Sequence, residues 1–364
     1  MEKRMKAAIL NGPGPLVIEN VHLDAIEAGE VLVKIHSCGV CHSDLGVIQR
    51  ATEPLDTPIV LGHEAAGTIE SIGENVTNVQ PGDHVIIAFA PSCGRCYYCV
   101  RGMENLCDQR DYPDRSGSGP RPRRTMTNGT PVMQGVGVGG FAEYTIMPEY
   151  GVIKIREDAP LNIVCLLGCG VTTGIGAAIN TAKVEPGSSV AVIGLGGVGL
   201  GIVQGAKLAG ASEIIAIDLV EEKLQIAPKF GATKIINATK VDAVESVRDI
   251  TSDRLDYAFE AIGLSKTVEQ AFAMIRKGGT AVAVGVNREN ISIPGNDFLR
   301  EKKLIGSFYG SASVHADIPK LVDLYMSGKI LLDEMVSRRR PLAEINEAFD
   351  DMKAVQVIRT IIDY

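Results

Sequence analysis

Apolar positions change rhythm about halfway along this chain. Between residues 5 and 90 they fall in short runs, at 6–10, 16–23, 30–37, 65–72 and 83–89, separated by turn residues such as Gly12-Pro13-Gly14-Pro15 and Pro81-Gly82-Asp83. Runs of that length with that punctuation predict antiparallel sheet or barrel. Strands are also expected at 141–147 and 152–155, and the run 166–174 leads into a helix of small residues that ends before Pro186-Gly187. From residue 188 the pattern becomes strand, helix, strand. Strands are predicted at 189–193, 213–217, 235–236, 256–259, 280–286 and 304–308, and helices from Val220, from Val241 and over 267–277, the last ended by Gly278-Gly279. Six strands separated by helical patterns are what a doubly wound parallel sheet requires. The tail, with helices near 318–326 and 342–352 and a strand at 357–362, leaves that alternation and is expected to return to the first domain. The expectation is an α/β chain with a β-rich domain over 1–170 and 308–364 and a parallel-sheet domain over 171–307. No internal repeat is evident beyond the two mirrored halves of the sheet.

The strongest single signal opens the second domain. Ser189-Val190-Ala191-Val192-Ile193 is followed by Gly194-Leu195-Gly196-Gly197-Val198-Gly199, a small-residue helix, the run Glu213-Ile214-Ile215-Ala216-Ile217, and Asp218. Gly194 permits the tight turn, Gly196 lets backbone approach a pyrophosphate, and Gly199 lets helix and strand pack closely. N–H groups at the helix start and the helix dipole favour phosphate there. Asp218 is placed to accept a ribose 2′-hydroxyl and to repel a 2′-phosphate, so NAD is expected rather than NADP. Glycine spacing by itself is cheap, as GVGVGG at 135–140 shows; the strand, helix, second strand and acid around it carry the argument.

The cysteines come in two settings. Cys93, Cys96, Cys99 and Cys107 are spaced C-x2-C-x2-C-x7-C, and four thiolates in one lobe, about 91–109, suit a closed tetrahedral structural zinc. An iron–sulfur cluster uses similar spacing, though no other feature suggests electron transfer. Cys38-Gly39-Val40-Cys41 has the spacing of a thioredoxin-like redox pair, a rival reading that calls for a helix start after a strand, whereas this neighbourhood reads as β-rich. The segment 108–140, rich in Gly, Pro, Arg and Ser, reads as a long loop.

Bulk properties narrow the function classes. At 364 residues the chain has room for about two domains, and 45% apolar with 22% charged residues is the composition of a soluble globular protein. A net charge of −8 argues against nucleic-acid or anionic-membrane partners. Arg115, Arg121, Arg123 and Arg124 form a basic stretch expected on a solvated or dimer-facing surface. No signal-type apolar core or bilayer-length run is present, so a cytoplasmic location is expected. In a reducing compartment eight cysteines point to metal or catalysis before disulfides.

Taken together, GVCHSD at 39–44, GHE at 62–64, the four-cysteine lobe, GCGVTTG at 168–174, GLGGVG with Asp218, and Ile358-Arg359-Thr360-Ile361-Ile362 resemble the zinc-dependent alcohol dehydrogenases of the medium-chain dehydrogenase/reductase superfamily, long-loop and dimer-type branch. The resemblance spans essentially the whole chain and implies a GroES-like β-rich catalytic domain beside a Rossmann domain. It implies two zinc ions per chain, one catalytic on Cys41, His63 and Cys169 with Glu64 as an adjacent or exchanging ligand, and one structural in the cysteine lobe. Three protein ligands leave an open position, where zinc lowers the pKa of a bound hydroxyl and so prepares an alcohol to give its hydride to NAD. Ser43 then corresponds to a proton-relaying hydroxyl and Asp44 to the carboxylate orienting His63. Lys223 matches a position near the adenosine ribose, Arg359 and His42 match positions near the phosphates, and Thr173 and Val198 match positions pressing on the nicotinamide. Phe89, Gly135 and Val136 match the substrate pocket.

Two departures bear on the substrate. Gly46 stands where many relatives have a histidine that ends the proton relay. Gly135 and Val136 are smaller than their counterparts in ethanol-oxidising relatives, which implies a wider pocket. The leading expectation is therefore oxidation of a primary or medium-sized alcohol, aromatic ones included, by a homodimeric enzyme. The alternative is a glutathione-dependent formaldehyde (S-hydroxymethylglutathione) dehydrogenase, whose glutathione-binding acid and arginine do not fall cleanly here: Thr52 and Asp111 occupy the aligned places, with Glu53 and Arg110 adjacent. A zinc-less NAD-binding protein is disfavoured by the complete Cys41, His63 and Cys169 set, and a polyol dehydrogenase by the cysteine at 169. Cys38 and Cys165 are expected as buried small apolar residues.

Overall fold

The computed structural model describes residues 3–108, 122–354 and 357–364. The chain divides into two compact units, Met1–Cys169 with Ser313–Tyr364, and Gly170–Ala312. No single helix among the described residues is long and apolar enough to cross a membrane.

The first unit contains two sheets. Strands Lys3–Leu10, Val17–Leu23, Arg124–Met126, Pro131–Gln134 and Ile59–Val60 close into a small barrel. Beside it a seven-stranded sheet is centred on Glu30–Gly39, which pairs antiparallel with Glu64–Ile72 along one side and with Tyr144–Pro148 and the C-terminal strand Arg359–Asp363 along the other. The alternating pattern of Glu30–Gly39 turns Val31, Val33 and Ile35 into a shared core with Ile9, Leu61, Ile69 and Phe141, so one apolar face holds the strands in register. The C-terminal strand thus returns to the sheet built on Glu30–Gly39: Ile361, Ile362 and Asp363 lie opposite Gly39, Cys38 and Ser37.

The second unit is a six-stranded parallel sheet in the order Lys234–Asn237, Glu213–Asp218, Ser189–Ile193, Leu255–Glu260, Ile275–Ala283, Lys303–Gly306. Counted along the chain this is 3-2-1-4-5-6, the doubly wound order whose direction reverses beside the first strand. Val190, Ala191 and Val192 are fully buried, as a strand covered on both faces requires. The small-residue helix Gly170–Gly176 packs against Gly197–Leu208 at backbone distance: a Cβ on Gly174 would lie 2.2 Å from the Val198 carbonyl oxygen.

Several expectations need correcting. The helix predicted over 267–277 is Ser265–Met274, and Ile275, Arg276, Lys277 and the two glycines already belong to the next strand. The segment 108–140 is not all loop: Arg124–Met126 and Pro131–Gln134 form a hairpin that completes the barrel. Arg123 and Arg124 are not surface cations. Arg123 is buried on Glu30 Oε1 and the Ala25 carbonyl, and Arg124 is fully buried in the unit's core. Arg115, Arg121, Arg110 and Asp111 lie outside the described residues. The neighbourhood of Cys41 is not purely β either, because Cys41 is the N-cap of a helix, His42–Arg50, that directly follows a strand.

Candidate active site

Three chain segments bring Cys41, His63 and Cys169 together in the first unit. Cys41 ends the turn after Glu30–Gly39, His63 precedes the neighbouring strand Glu64–Ile72, and Cys169 follows the turn Cys165–Gly168. Their ligand atoms all lie within 4.8 Å of one another and all three residues are buried. Asp44, one turn into the helix begun by Cys41, places Oδ1 3.1 Å from His63 Nδ1 and accepts the Gly62 N–H at 3.1 Å. This engages Nδ1 and leaves Nε2 as the imidazole's free ligand atom. Phe89 packs edge-on against the His63 ring, centroids 5.5 Å apart.

The electrostatics of this cluster suit a cation. The Cys169 side chain holds Cys41 well below the ordinary thiol range against the opposing effect of burial, with His63 assisting. The same contact, together with burial, pushes Cys169 well up, so the two sulfurs share one proton. Burial lowers the basicity of His63, but Asp44 and Cys41 outweigh it and keep the imidazole well above its usual range. Two sulfurs and one imidazole, buried and oriented, match a zinc site with an open position. The redox pairing of Cys38 with Cys41 does not form: Cys38 is fully buried and its sulfur faces its neighbour's carbonyl, Gly39 O, at 3.6 Å. Cys165 is likewise fully buried.

Glu64 stands beside the cluster rather than in it. Its Oε1 pairs with Arg359 at 3.4 Å, both side chains being buried. Gly39 makes room for that carboxylate, since a Cβ there would lie 2.4 Å from Glu64 Oε2. Glu64, Cys41, Cys169 and Asp44 keep the Arg359 guanidinium more basic than usual despite its burial.

The four remaining motif cysteines, Cys93, Cys96, Cys99 and Cys107, also converge with all sulfurs within 4.8 Å. Two short helical turns, Cys99–Arg101 and Glu104–Leu106, bend the lobe around them. The Cys93 N–H points at the Cys107 sulfur (3.4 Å) and the Cys99 N–H at the Cys96 sulfur (3.5 Å). Burial opposes ionisation of Cys96, but such N–H donors bring it down to about 6. A closed set of four thiolates fits a structural zinc.

In the second unit the glycine turn has the predicted form. Gly194 has φ +93°, and a Cβ on Gly199 would lie 1.7 Å from the Gly194 carbonyl oxygen. Around Gly196, by contrast, a Cβ would meet nothing within 4 Å, so packing does not demand glycine there. Helix Gly197–Leu208 starts at Gly196 with no side-chain cap, leaving its first N–H groups for a ligand. Asp218 Oδ2 accepts the Leu195 N–H at 2.7 Å, and Oδ1 accepts those of Leu219 and Val220. The donor set, the open cradle and the acid fit a dinucleotide.

Comparison with known proteins gives the family. A family model described as an alcohol dehydrogenase GroES-like domain matches residues 27–157, and one described as a zinc-binding dehydrogenase matches 197–327. An alcohol dehydrogenase class-3 of Drosophila melanogaster is 42% identical over 96% of this chain and 94% of its own. An S-(hydroxymethyl)glutathione dehydrogenase of Paracoccus denitrificans is 39% identical over 99% of this chain and 100% of its own. The crystal structure of a benzyl alcohol dehydrogenase from Acinetobacter calcoaceticus superposes with a TM-score of 0.90 at 34% identity, covering 99% of each chain. The chain belongs to the zinc-dependent alcohol dehydrogenases of the medium-chain dehydrogenase/reductase superfamily.

As such a dehydrogenase it is an NAD-dependent oxidoreductase acting on CH–OH groups, with catalytic and structural zinc as metal cofactors. Of the remaining predicted site residues, Ser43 and His42 sit exposed in the first turn of the Cys41-capped helix. Thr173 is buried in the helix Gly170–Gly176, Val198 lies in the first turn of Gly197–Leu208, and Lys223 in that of Glu221–Phe230. Above Gly46 the space is taken by Arg50, whose Nη1 would lie 2.9 Å from an added Cβ. Gly135 abuts the Val60 carbonyl and Leu61, two residues ahead of His63, and Val136 is half-exposed beside it.

Sequence reasoning missed Glu260. This fully buried acid ends the strand next to Ser189–Ile193 and accepts from the Ile262 and Gly263 N–H groups and from Thr267. It shapes the turn facing Gly194, where a Cβ would lie 2.6 Å from Ile262. Its only sequence signal was an acid directly ending an apolar run, Tyr257-Ala258-Phe259.

Proposed function

We propose that this dehydrogenase oxidises a primary or medium-sized alcohol, aromatic ones included, to the aldehyde or ketone, and runs in reverse with reduced cofactor. The observation that carries this is the buried convergence of Cys41, His63 and Cys169. Zinc, when bound, supplies Lewis-acid polarisation of the substrate oxygen, and NAD supplies the hydride acceptor. Within the proposal the two cysteine sulfurs offset the metal's charge, and Asp44 fixes His63 with Nε2 toward it. As the carbinol carbon loses hydride, its hydroxyl proton leaves through the Ser43 hydroxyl. Position 46 carries no side chain to continue that relay, so the proton passes from Ser43 to solvent or the cofactor ribose. Glu64 balances Arg359 beside the metal ligands and is the candidate exchanging ligand. Arg359 and His42 are assigned to the cofactor phosphates, Asp218 and Lys223 to the adenosine ribose, and Thr173 and Val198 to the nicotinamide. Phe89, Gly135 and Val136 are assigned to the substrate pocket.

Wide rather than narrow substrates are supported by the absence of bulky side chains at Gly135 and Val136 and by the benzyl alcohol dehydrogenase among the structural neighbours. A second reading, oxidation of S-hydroxymethylglutathione, is supported by the names of several curated relatives. Rates with benzyl alcohol, hexanol and S-hydroxymethylglutathione, each with NAD and NADP, separate the two. Preference for the glutathione adduct over both alcohols by orders of magnitude would reject the first reading.

We further propose that the unit Met1–Cys169 with Ser313–Tyr364 is the catalytic domain, that Gly170–Ala312 is the NAD-binding domain, and that the enzyme works in the cytoplasm as a homodimer. The dimer proposal draws on the edge strand Lys303–Gly306 and the exposed apolar residues Val286, Phe298 and Leu299 near it in sequence. Light scattering that gives a tetramer would contradict it.

A further inference from the structure

The GVGVGG segment, glycine-rich and expected to be pliable, is held at four successive carbonyls by four different side chains. Gln134 Nε2 donates to Gly137 O (3.2 Å), Thr145 Oγ1 to Val138 O (2.5 Å), Arg124 Nη2 to Gly139 O (3.0 Å), and the Tyr364 hydroxyl to Gly140 O (2.6 Å). The donors come from both strands of the barrel hairpin, from the large sheet and from the last residue of the chain. The fit is tight. A Cβ on Gly139, which has φ +60°, would lie 2.3 Å from Arg124 Nη1.

What the clamp holds is a strained turn hydrogen-bonded to the backbone just ahead of His63. Val136 is β-branched yet has φ 52°, a conformation that persists only where surroundings impose it. The same segment donates its Gly140 and Phe141 N–H groups to the carbonyls of Gly62 and Leu61, the two residues ahead of His63. The Gly62 N–H in turn binds the carboxylate that orients His63. A buried arginine is an expensive way to hold two carbonyls, Gly139 O and Tyr144 O, and burial pulls its pKa down to about 9.

We infer that Arg124, Thr145, Gln134 and Tyr364 are positioning residues that preorganise the wall formed by Gly135 and Val136, and thereby set selectivity for bulky over small alcohols. This rests on the reading that Gly135 and Val136 line the substrate pocket. A preset wall lowers the ordering cost of binding an aromatic alcohol but does little for ethanol, which is too small to rest on it.

The test uses the full holoenzyme with Tyr364→Phe and Thr145→Val, each of which removes one donor and keeps side-chain shape. Both are expected to raise KM for benzyl alcohol about fivefold, the equivalent of one ordinary hydrogen bond, with kcat, zinc content, KM for NAD and KM for ethanol unchanged. An unchanged benzyl-alcohol-to-ethanol ratio in both variants, or a parallel loss with both alcohols, overturns the inference. Val136→Ala runs alongside. If it moves that ratio and the clamp variants do not, positioning fails while the pocket reading stands; if it leaves the ratio unchanged, the pocket reading fails and the clamp's role with it.

Discussion

Asp44 Oδ1 sits 3.1 Å from His63 Nδ1 and is also 3.1 Å from the Gly62 N–H, so one carboxylate fixes both the ring and the backbone that carries it. Asp44→Asn keeps the oxygen that makes both bonds but removes its charge. Partners of this kind typically change metal affinity or activity by about 10–100-fold. Zinc retention against a chelator series should fall by about that factor, with NAD binding unaltered. Equal retention in variant and parent would show that His63 needs no orienting carboxylate.

Gly196 and Gly199 are predicted to fail in different ways. Gly199→Ala drives a Cβ to 1.7 Å from Gly194 O and should cost thermal stability as well as NAD binding. Gly196→Ala meets no protein atom, so the melting temperature should stay put while NAD affinity drops by at least about tenfold, because the methyl occupies the approach to the pyrophosphate. Unchanged affinity in Gly196→Ala, measured by fluorescence titration, would remove the dinucleotide from this turn.

Asp218 both accepts three backbone N–H groups and faces the cofactor in the proposed reading. Asp218→Ala should raise KM for NAD about tenfold and narrow the gap between NAD and NADP. A purely structural role would weaken both cofactors in step, and the ratio of the two specificity constants distinguishes the outcomes.

Tyr364 keeps 40% of its surface exposed, but its hydroxyl is turned inward onto Gly140 O, and desolvation there holds the phenol protonated well above its ordinary range, with the Cys38 sulfur adding to the effect and Arg124 opposing it. In the unfolded chain a tyrosine ionises near pH 10. Above that pH the unfolded state therefore binds fewer protons than the folded one, and Tyr364's contribution to stability, fully present at lower pH, is lost as pH rises. Urea midpoints should fall more steeply between about pH 9 and 11 in the parent than in Tyr364→Phe. Parallel curves would place the phenol in contact with water.

The sheet domain was legible because its chemistry is local: Val190 to Ile193, the glycines and Asp218 follow one another in the chain, and burial on both faces writes itself as unbroken apolar runs. The metal residues were legible as types and spacings, but nothing local says that Cys41, His63 and Cys169 meet, since 128 positions separate the first from the last. The hairpin Arg124–Met126 and Pro131–Gln134 escaped because its strands are only three and four residues long, too short to show an alternation, and lie in a stretch rich in Gly, Pro and Arg. Arg124 in particular reads as surface in any single sequence, and only the carbonyls of Gly139 and Tyr144, brought to it by the barrel, make its burial tolerable. The end of Ser265–Met274 was misplaced for a related reason: Arg276, Lys277 and two glycines imitate a helix terminus, yet Arg276 instead pairs with Asp256 on the adjacent strand. His42–Arg50 was missed because Ser43, Asp44 and Gly46 are weak helix interiors, and Cys41 caps it without a side-chain hydrogen bond.

The central claim is that Cys41, His63 and Cys169 hold one catalytic zinc while the cysteine lobe holds another. Metal analysis of the parent and of Cys41→Ser, coupled to turnover with benzyl alcohol, tests it most directly. The account predicts two zinc ions per chain in the parent and one in the variant, with the lobe metal retained, NAD still bound and turnover abolished. A Cys41→Ser enzyme that keeps full turnover after losing that metal would contradict it.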